Sequence, residues 1–105
     1  MTRGEIYRAR LPARRGHEQA GHRYAVIVQA DHLLGLSTVI VAPTSRSAAP
    51  ATFRPTITLE GERTRVLVEQ LRVLDIQRLT ALAGRLSSEE QRAVDEALAD
   101  VLDLA

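Results

Sequence analysis

Two short runs, Tyr24-Ala25-Val26-Ile27-Val28 and Thr38-Val39-Ile40-Val41-Ala42, constrain this chain more than any other feature. Both are unbroken apolar stretches rich in β-branched residues, whose stiff side chains suit a pleated strand better than a helix. A strand that is apolar at every position offers no face to water, so the two runs read as central strands covered on both sides. The chain has 105 residues, room for one domain spanning 1–105 with a thin core.

The flanking sequence supplies the other elements. Glu5 to Leu11 alternates, with Arg8 and Arg10 opposite Tyr7, Ala9 and Leu11, and predicts a half-buried strand ended by Pro12. Residues 13–22 have no period and hold two glycines, the mark of a loop. Asp31 to Leu36 suits one helical turn, and Pro43 stops the second apolar run ahead of Thr44-Ser45-Arg46-Ser47. Thr52 to Leu59 and Arg65 to Leu74 flank Glu60-Gly61-Glu62 as a hairpin would. Asp75 is placed to cap a short helix whose Ile76, Leu79 and Leu82 face one way, with Gly84 as its left-handed terminator. Ser87-Ser88-Glu89-Glu90 is a capping-box pattern, followed by Val94, Ala97, Leu98, Val101 and Leu102 at helical spacing. The order is about five mainly antiparallel strands followed by two helices, with one short helix inserted early: a single α+β domain.

Composition narrows the function classes. Apolar residues make up 45 % and charged residues 26 %, ordinary globular usage that excludes intrinsic disorder. The absence of Cys excludes disulfides, thiolate metal sites and thiol nucleophiles. No apolar run approaches the roughly 20 residues that span a bilayer, and Met1-Thr2-Arg3-Gly4-Glu5 lacks a signal-peptide core. A cytoplasmic protein with no membrane contact is expected. Net charge is only +1, yet residues 1–55 hold 8 Arg against 3 acids while residues 56–105 hold 6 Arg against 10 acids. The N-terminal half therefore suits contact with phosphates.

His17, His22 and His32 match no zinc-ligand spacing even with Glu18 and Asp31 nearby, so no metal site is expected. G-x-S-x-G, a Walker loop and G-x-G-x-x-G are absent, so no serine-hydrolase elbow and no nucleotide cofactor is expected either. What remains is polar chemistry at strand ends. Arg23 begins one central strand, Thr44 and Ser45 end the other, and Glu18 and Gln19 lie in the preceding loop. Antiparallel pairing of the two strands sets Arg23 beside Thr44 and Ser45. From the residues alone the favoured reading is a surface cation beside two turn hydroxyls.

The segment Gly16-His17-Glu18-Gln19-Ala20-Gly21-His22-Arg23, running into the first apolar strand, resembles the G-x-E-Q-x-G-x-R-P-V-V-V signature of MazF/PemK toxins. Arg3-Gly4-Glu5-Ile6-Tyr7 is similar to that family's opening strand, and Val39-Ile40-Val41-Ala42-Pro43-Thr44-Ser45 to its V-x-V-x-P-x-T/S segment. Val68-Glu69-Gln70-Leu71-Arg72 resembles its D-Q-I/V-R/K strand; Gly84-Arg85-Leu86-Ser87 and Val94-Asp95-Glu96-Ala97-Leu98 resemble its last helix. The likeness covers nearly the whole chain in the family's order. Two positions depart from it: Tyr24 stands where the family usually has Pro, and Glu69 where it often has Asp.

The resemblance implies a mainly antiparallel SH3-like, MazF-type barrel or strongly curved sheet with two or three short helices, one of them C-terminal. It implies the toxin of a type II toxin–antitoxin system, an endoribonuclease that cuts single-stranded RNA by attack of the ribose 2′-OH on its own phosphate, without a metal. Arg23 would stabilise the transition-state charge, since guanidinium, with a pKa above about 12, is a poor proton donor. Ser45 or Thr44 would supply the partner hydroxyl. Glu18 is the candidate base, and His22 or His17 the candidate acid. Arg8, Arg10, Arg14 and Arg15 are candidate phosphate contacts, Gln19 and Gln70 would reach base edges, and His22 is a further RNA-binding candidate. Tyr24 is either a stacking surface or core. The implied partners are a second copy of the chain and a MazE-like antitoxin with a disordered acidic segment. Two alternatives stand: a CcdB-like toxin that binds gyrase and cuts nothing, and a binding domain on the same scaffold without activity.

Overall fold

The computed structural model describes residues 1–13, 15–16 and 20–104. Among the described residues seven strands, β1 (Glu5–Leu11), β2 (Gly21–Ile27), β3 (Thr38–Ser45), β4 (Thr56–Leu59), β5 (Glu62–Val66), β6 (Arg72–Asp75) and β7 (Leu79–Arg85), precede one α-helix, α1 (Ser88–Val101). The sheet runs β4-β5-β3-β2-β1-β7, and β6 also pairs with β3. All pairings are antiparallel. The architecture is the curled antiparallel sheet with a C-terminal helix expected from the sequence.

Alternation along the central strands sorts their side chains into two apolar clusters. Ile6, Val26, Val28 and Ala42 join Ile57, Leu59, Val66 and Val68 in one, covered by Val94 and Ala97 of α1. Ala9, Leu11, Ala25, Ile27, Val39 and Val41 join Leu74 in the other. Successive residues of a strand point to opposite faces, so consecutive apolar residues are what a strand between two clusters requires. Ile27, Val26 and Val41 are fully buried, and each such side chain stabilises the fold by about 1.5–3 kcal/mol.

The predicted helix after Asp75 is corrected. Asp75 does cap, accepting the Gln77 N–H at 2.8 Å, but only for a three-residue 3-10 turn, Ile76–Arg78. Residues Leu79–Arg85 leave it as β7 and pair with β1. A helix there would leave the outer edge of β1 without partners, and the ladder between β1 and β7 satisfies those groups. Gly84 is accordingly a strand residue opposite Ile6, and a Cβ on it would meet Leu59 and Ile6 at 3.6 and 3.9 Å. The Leu79 and Leu82 spacing that suggested a helix leaves Leu82 exposed.

The hairpin is also shorter than expected. Its turn is the two residues Glu60 and Gly61, both with positive φ, between the paired Leu59 and Glu62. Strand β4 begins only after Pro55, and the second arm divides at a 3-10 turn, Val68–Gln70. The division lets β3 pair with two strands along one edge. Thr44 and Ser45 meet Val66 and Arg65 of β5, while residues Thr38 to Val41 meet β6. The early helical turn is a 3-10 turn over Asp31–Leu33. The capping box at Ser87 and Glu90 forms with both of its hydrogen bonds.

Candidate functional site

β2 and β3 are paired through Ala25↔Pro43, Val26↔Ala42 and Ile27↔Val41. Continued outward, this register sets Tyr24 opposite Thr44 and Arg23 opposite Ser45. A pocket of about 330 Å³ opens there, lined by His22, Arg23, Tyr24, Thr44, Ser45, Arg46, Ser47 and Thr64. Arg23, Thr44, Ser45 and His22, singled out from the sequence, thus share one cavity.

The two neighbouring hydroxyls are not equivalent. Thr44 is 3 % exposed, and its Oγ1 donates to the Tyr24 carbonyl at 2.8 Å, tying the strands together behind the pocket. Ser45, the last residue of β3, lines the same pocket and is less buried. Its Oγ accepts the backbone N–H groups of Ala48 at 3.1 Å and Ser47 at 3.3 Å. Two donors on the oxygen leave its O–H proton to be given, to the Ser47 Oγ at 3.5 Å or to an incoming acceptor. Arg46, Ser47 and Thr64 were missed by sequence reasoning. Arg46 and Ser47 were legible as a basic, polar continuation past the Thr44-Ser45 strand end, but Thr64 arrives from β5 and carried no signal.

The pocket is cationic through Arg23 and Arg46, with no carboxylate among the described residues that line it. Tyr24 packs its ring beside the α1-side core, and its hydroxyl bonds the Glu60 carboxylate at the hairpin tip. That hydrogen bond, then burial and the Glu60 charge, push the phenol above its ordinary pKa, against the opposing charges of Arg8 and Arg46. Tyr24 therefore keeps its proton at neutral pH. Among the described residues, no group of three or more His, Asp or Glu side chains gathers as a metal site would require.

The remaining candidates lie around this centre. Arg8 and Arg10 are exposed on β1 opposite Tyr24 and His22. Arg15 is exposed in the loop before β2. Gln70 is half-buried in the 3-10 turn after β5 and does not line the pocket. Arg14, His17, Glu18 and Gln19 lie outside the described residues.

Fold and pocket together define a small α+β protein with a cationic cavity at the paired ends of two central strands, a class suited to binding an anion. The chain matches the family described as "PemK-like, MazF-like toxin of type II toxin-antitoxin system" over residues 2–102, and it belongs to that family. It is 47 % identical over 77 residues, 72 % of each chain, to the toxin candidate Rv3098A of Mycobacterium tuberculosis. Its fold is similar to the crystal structure of MazF from Deinococcus radiodurans, with a TM-score of 0.86 at 22 % identity, covering 98 % of this chain and 96 % of that one. A mycobacterial endoribonuclease in complex with its cognate antitoxin shares the fold with a TM-score of 0.85 at 17 % identity, covering 100 % and 97 %. No described helix is long and apolar enough to cross a membrane.

Proposed function

We propose that this chain is an endoribonuclease that cuts single-stranded RNA by transesterification. The observation that carries the reading is that Arg23 and Ser45 line one cationic pocket, with the Ser45 oxygen already accepting two backbone N–H groups. In the reaction the 2′-oxygen attacks the adjacent phosphorus and the P–O5′ bond breaks. The products are a 2′,3′-cyclic phosphate and a 5′-OH. RNA supplies its own nucleophile, so the protein has to align the groups, stabilise the added negative charge and handle two protons.

The Arg23 guanidinium, planar and permanently charged, is assigned to the non-bridging oxygens, with the Ser45 O–H donating to one of them. Thr44 is assigned to structure, because its proton is committed to the Tyr24 carbonyl. Arg46 adds a second cation. Glu18, three residues before the start of β2 in sequence, is the proposed acceptor of the 2′-OH proton, and His22 at the pocket wall the proposed donor to O5′. Arg8, Arg10, Arg14 and Arg15 would follow the flanking phosphates, and Gln19 and Gln70 would read base edges. No metal or cofactor has a part in this scheme, and RNA as substrate places the protein in the cytoplasm.

Two partners complete the reading. Exposed Ile40 and Val73 pair across β3 and β6, beside an apolar groove lined by Val28, Leu71, Leu98, Leu102 and Leu104. A second copy of the chain would cover this surface in a symmetric dimer. An acidic antitoxin segment that folds on binding would occupy the arginines that RNA needs. Incubating purified protein with single-stranded RNA in excess chelator, then assigning the product ends, tests the central reaction. Gyrase binding without RNA cleavage would replace it with a non-nuclease function.

A further inference from the structure

The loop from Arg46 to Pro55 carries the polarising amides of Ser45, yet Ala48, Ala49, Pro50 and Ala51 have no side chain able to hold it in place. Two arginines grip it, Arg65 from β5 and Arg54 from the far end of the loop itself. Arg65, the register partner of Ser45 on β5, donates from Nε to the Ala48 carbonyl at 3.1 Å and from Nη1 to Thr56 Oγ1 at 3.3 Å. Arg54 donates from Nη1 to the next carbonyl, that of Ala49, at 3.0 Å. Its Nε and Nη2 both meet Glu69 Oε2, at 2.9 and 2.5 Å, and its guanidinium lies over the Phe53 ring at 5.7 Å from the centroid. Glu69 stands in the short turn after β5, so the tether runs from the body of the sheet to the loop.

We propose that Arg65, together with the Arg54–Glu69 pair, forms a positioning device for the reaction, fixing Ala48 so that its N–H holds the Ser45 hydroxyl in a single orientation. The proposal rests on the ribonuclease reading, since it assigns these residues to the reactivity of Ser45. A serine rotates freely about χ1 unless its oxygen is held, and here the holding group is a backbone amide whose own residue is held by Arg65. Arg65 and Arg54 each donate one N–H to a loop carbonyl and do not line the pocket, so RNA binding depends on them less than turnover does. The Arg54 site also explains why a carboxylate at position 69 serves this chain: it receives two N–H groups of one guanidinium on a single oxygen.

The test is a double-substitution cycle read by single-turnover cleavage of a short RNA, with binding read separately on the same RNA carrying 2′-deoxy groups. Arg65→Ala is expected to slow cleavage about 10-fold when Ser45 is present and less than about twofold in a Ser45→Ala background, since residues acting as one unit are not additive. Affinity for the deoxy-substituted RNA should change by less than about threefold on the same reasoning. Arg65→Lys, which keeps a donor for the Ala48 carbonyl, should recover part of the rate and serves if the alanine variant does not fold. Equal losses with and without Ser45, or a loss wholly in binding, overturn the positioning role while leaving the ribonuclease reading intact. Wild-type protein that cleaves no RNA overturns both.

Discussion

Thr44 and Ser45 are chain neighbours whose hydroxyls do opposite things: Thr44 Oγ1 donates its proton to the Tyr24 carbonyl, whereas Ser45 Oγ accepts two backbone N–H groups. Both line the same pocket, and Thr44 is the more buried of the two. The sequence left open which of the two faces a substrate, and the hydrogen bonds distinguish them. Ser45→Ala is expected to lower single-turnover cleavage by roughly 10- to 100-fold, the scale of losing one oxyanion donor or somewhat less. Thr44→Val is expected to leave that rate within about threefold and instead to lower stability by about 1 kcal/mol, the worth of one hydrogen bond. Denaturant titration beside the rate measurement separates the two outcomes, and a catalytic loss at Thr44 equal to that at Ser45 would contradict the assignment.

A second prediction concerns pH and the opening strand. Glu5 is buried. Burial alone would raise its pKa, but the Thr2 N–H, the Tyr7 hydroxyl and the N-terminal ammonium outweigh it and leave the carboxyl below 4.5. Arg85 adds an ion pair at 3.3 Å. A carboxylate with a depressed folded pKa adds stability above its unfolded pKa and loses it as pH falls through the folded value. Glu5→Gln should therefore lower Tm by several degrees near neutral pH, where a loss of 1 kcal/mol shifts Tm by about 4–8 °C in a chain of this size. The difference from wild type should close in acid below the folded pKa. A gap that stays constant down to that range would remove Glu5 as a charged partner in the fold.

The third prediction addresses self-association. Val73→Asp places a charge beside Ile40 on the exposed apolar face and should shift a dimer toward monomer by at least tenfold in dissociation constant, since a buried unpaired charge costs several kcal/mol. Light scattering across a micromolar dilution series reads this directly. A variant that dimerises as well as the wild type would move the interface elsewhere.

Much of this fold was legible because the informative residues act locally. The apolar run around Ile27 needed a two-sided strand, whereas the run through Val41 is two-sided only from Val41 on, Thr38 and Ile40 being exposed; Ser87 with Glu90 named the start of α1. Position 79 was not legible. Ile76, Leu79 and Leu82 have helical spacing, and only the open edge of β1, far away in sequence, decides that they form a strand. The break at Leu67 is similar: the run from Arg65 to Leu74 reads as one strand until β3 is found to pair with both of its halves. At the site, Arg23, Ser45 and His22 were found from a motif and a pairing argument. Arg65 and Arg54 were not, since their work is done on loop carbonyls, and nothing in a sequence records which carbonyl an arginine grips.

The most direct test of the central claim is single-turnover cleavage of single-stranded RNA in excess chelator by wild-type protein and by Arg23→Ala, with product ends assigned. The account predicts 5′-OH and 2′,3′-cyclic phosphate ends from the wild type and a loss of about 100-fold or more in the variant, the scale for removing a principal charge-stabilising group. RNA left intact by the wild type, or cleaved equally fast by a folded Arg23→Ala protein, would contradict it.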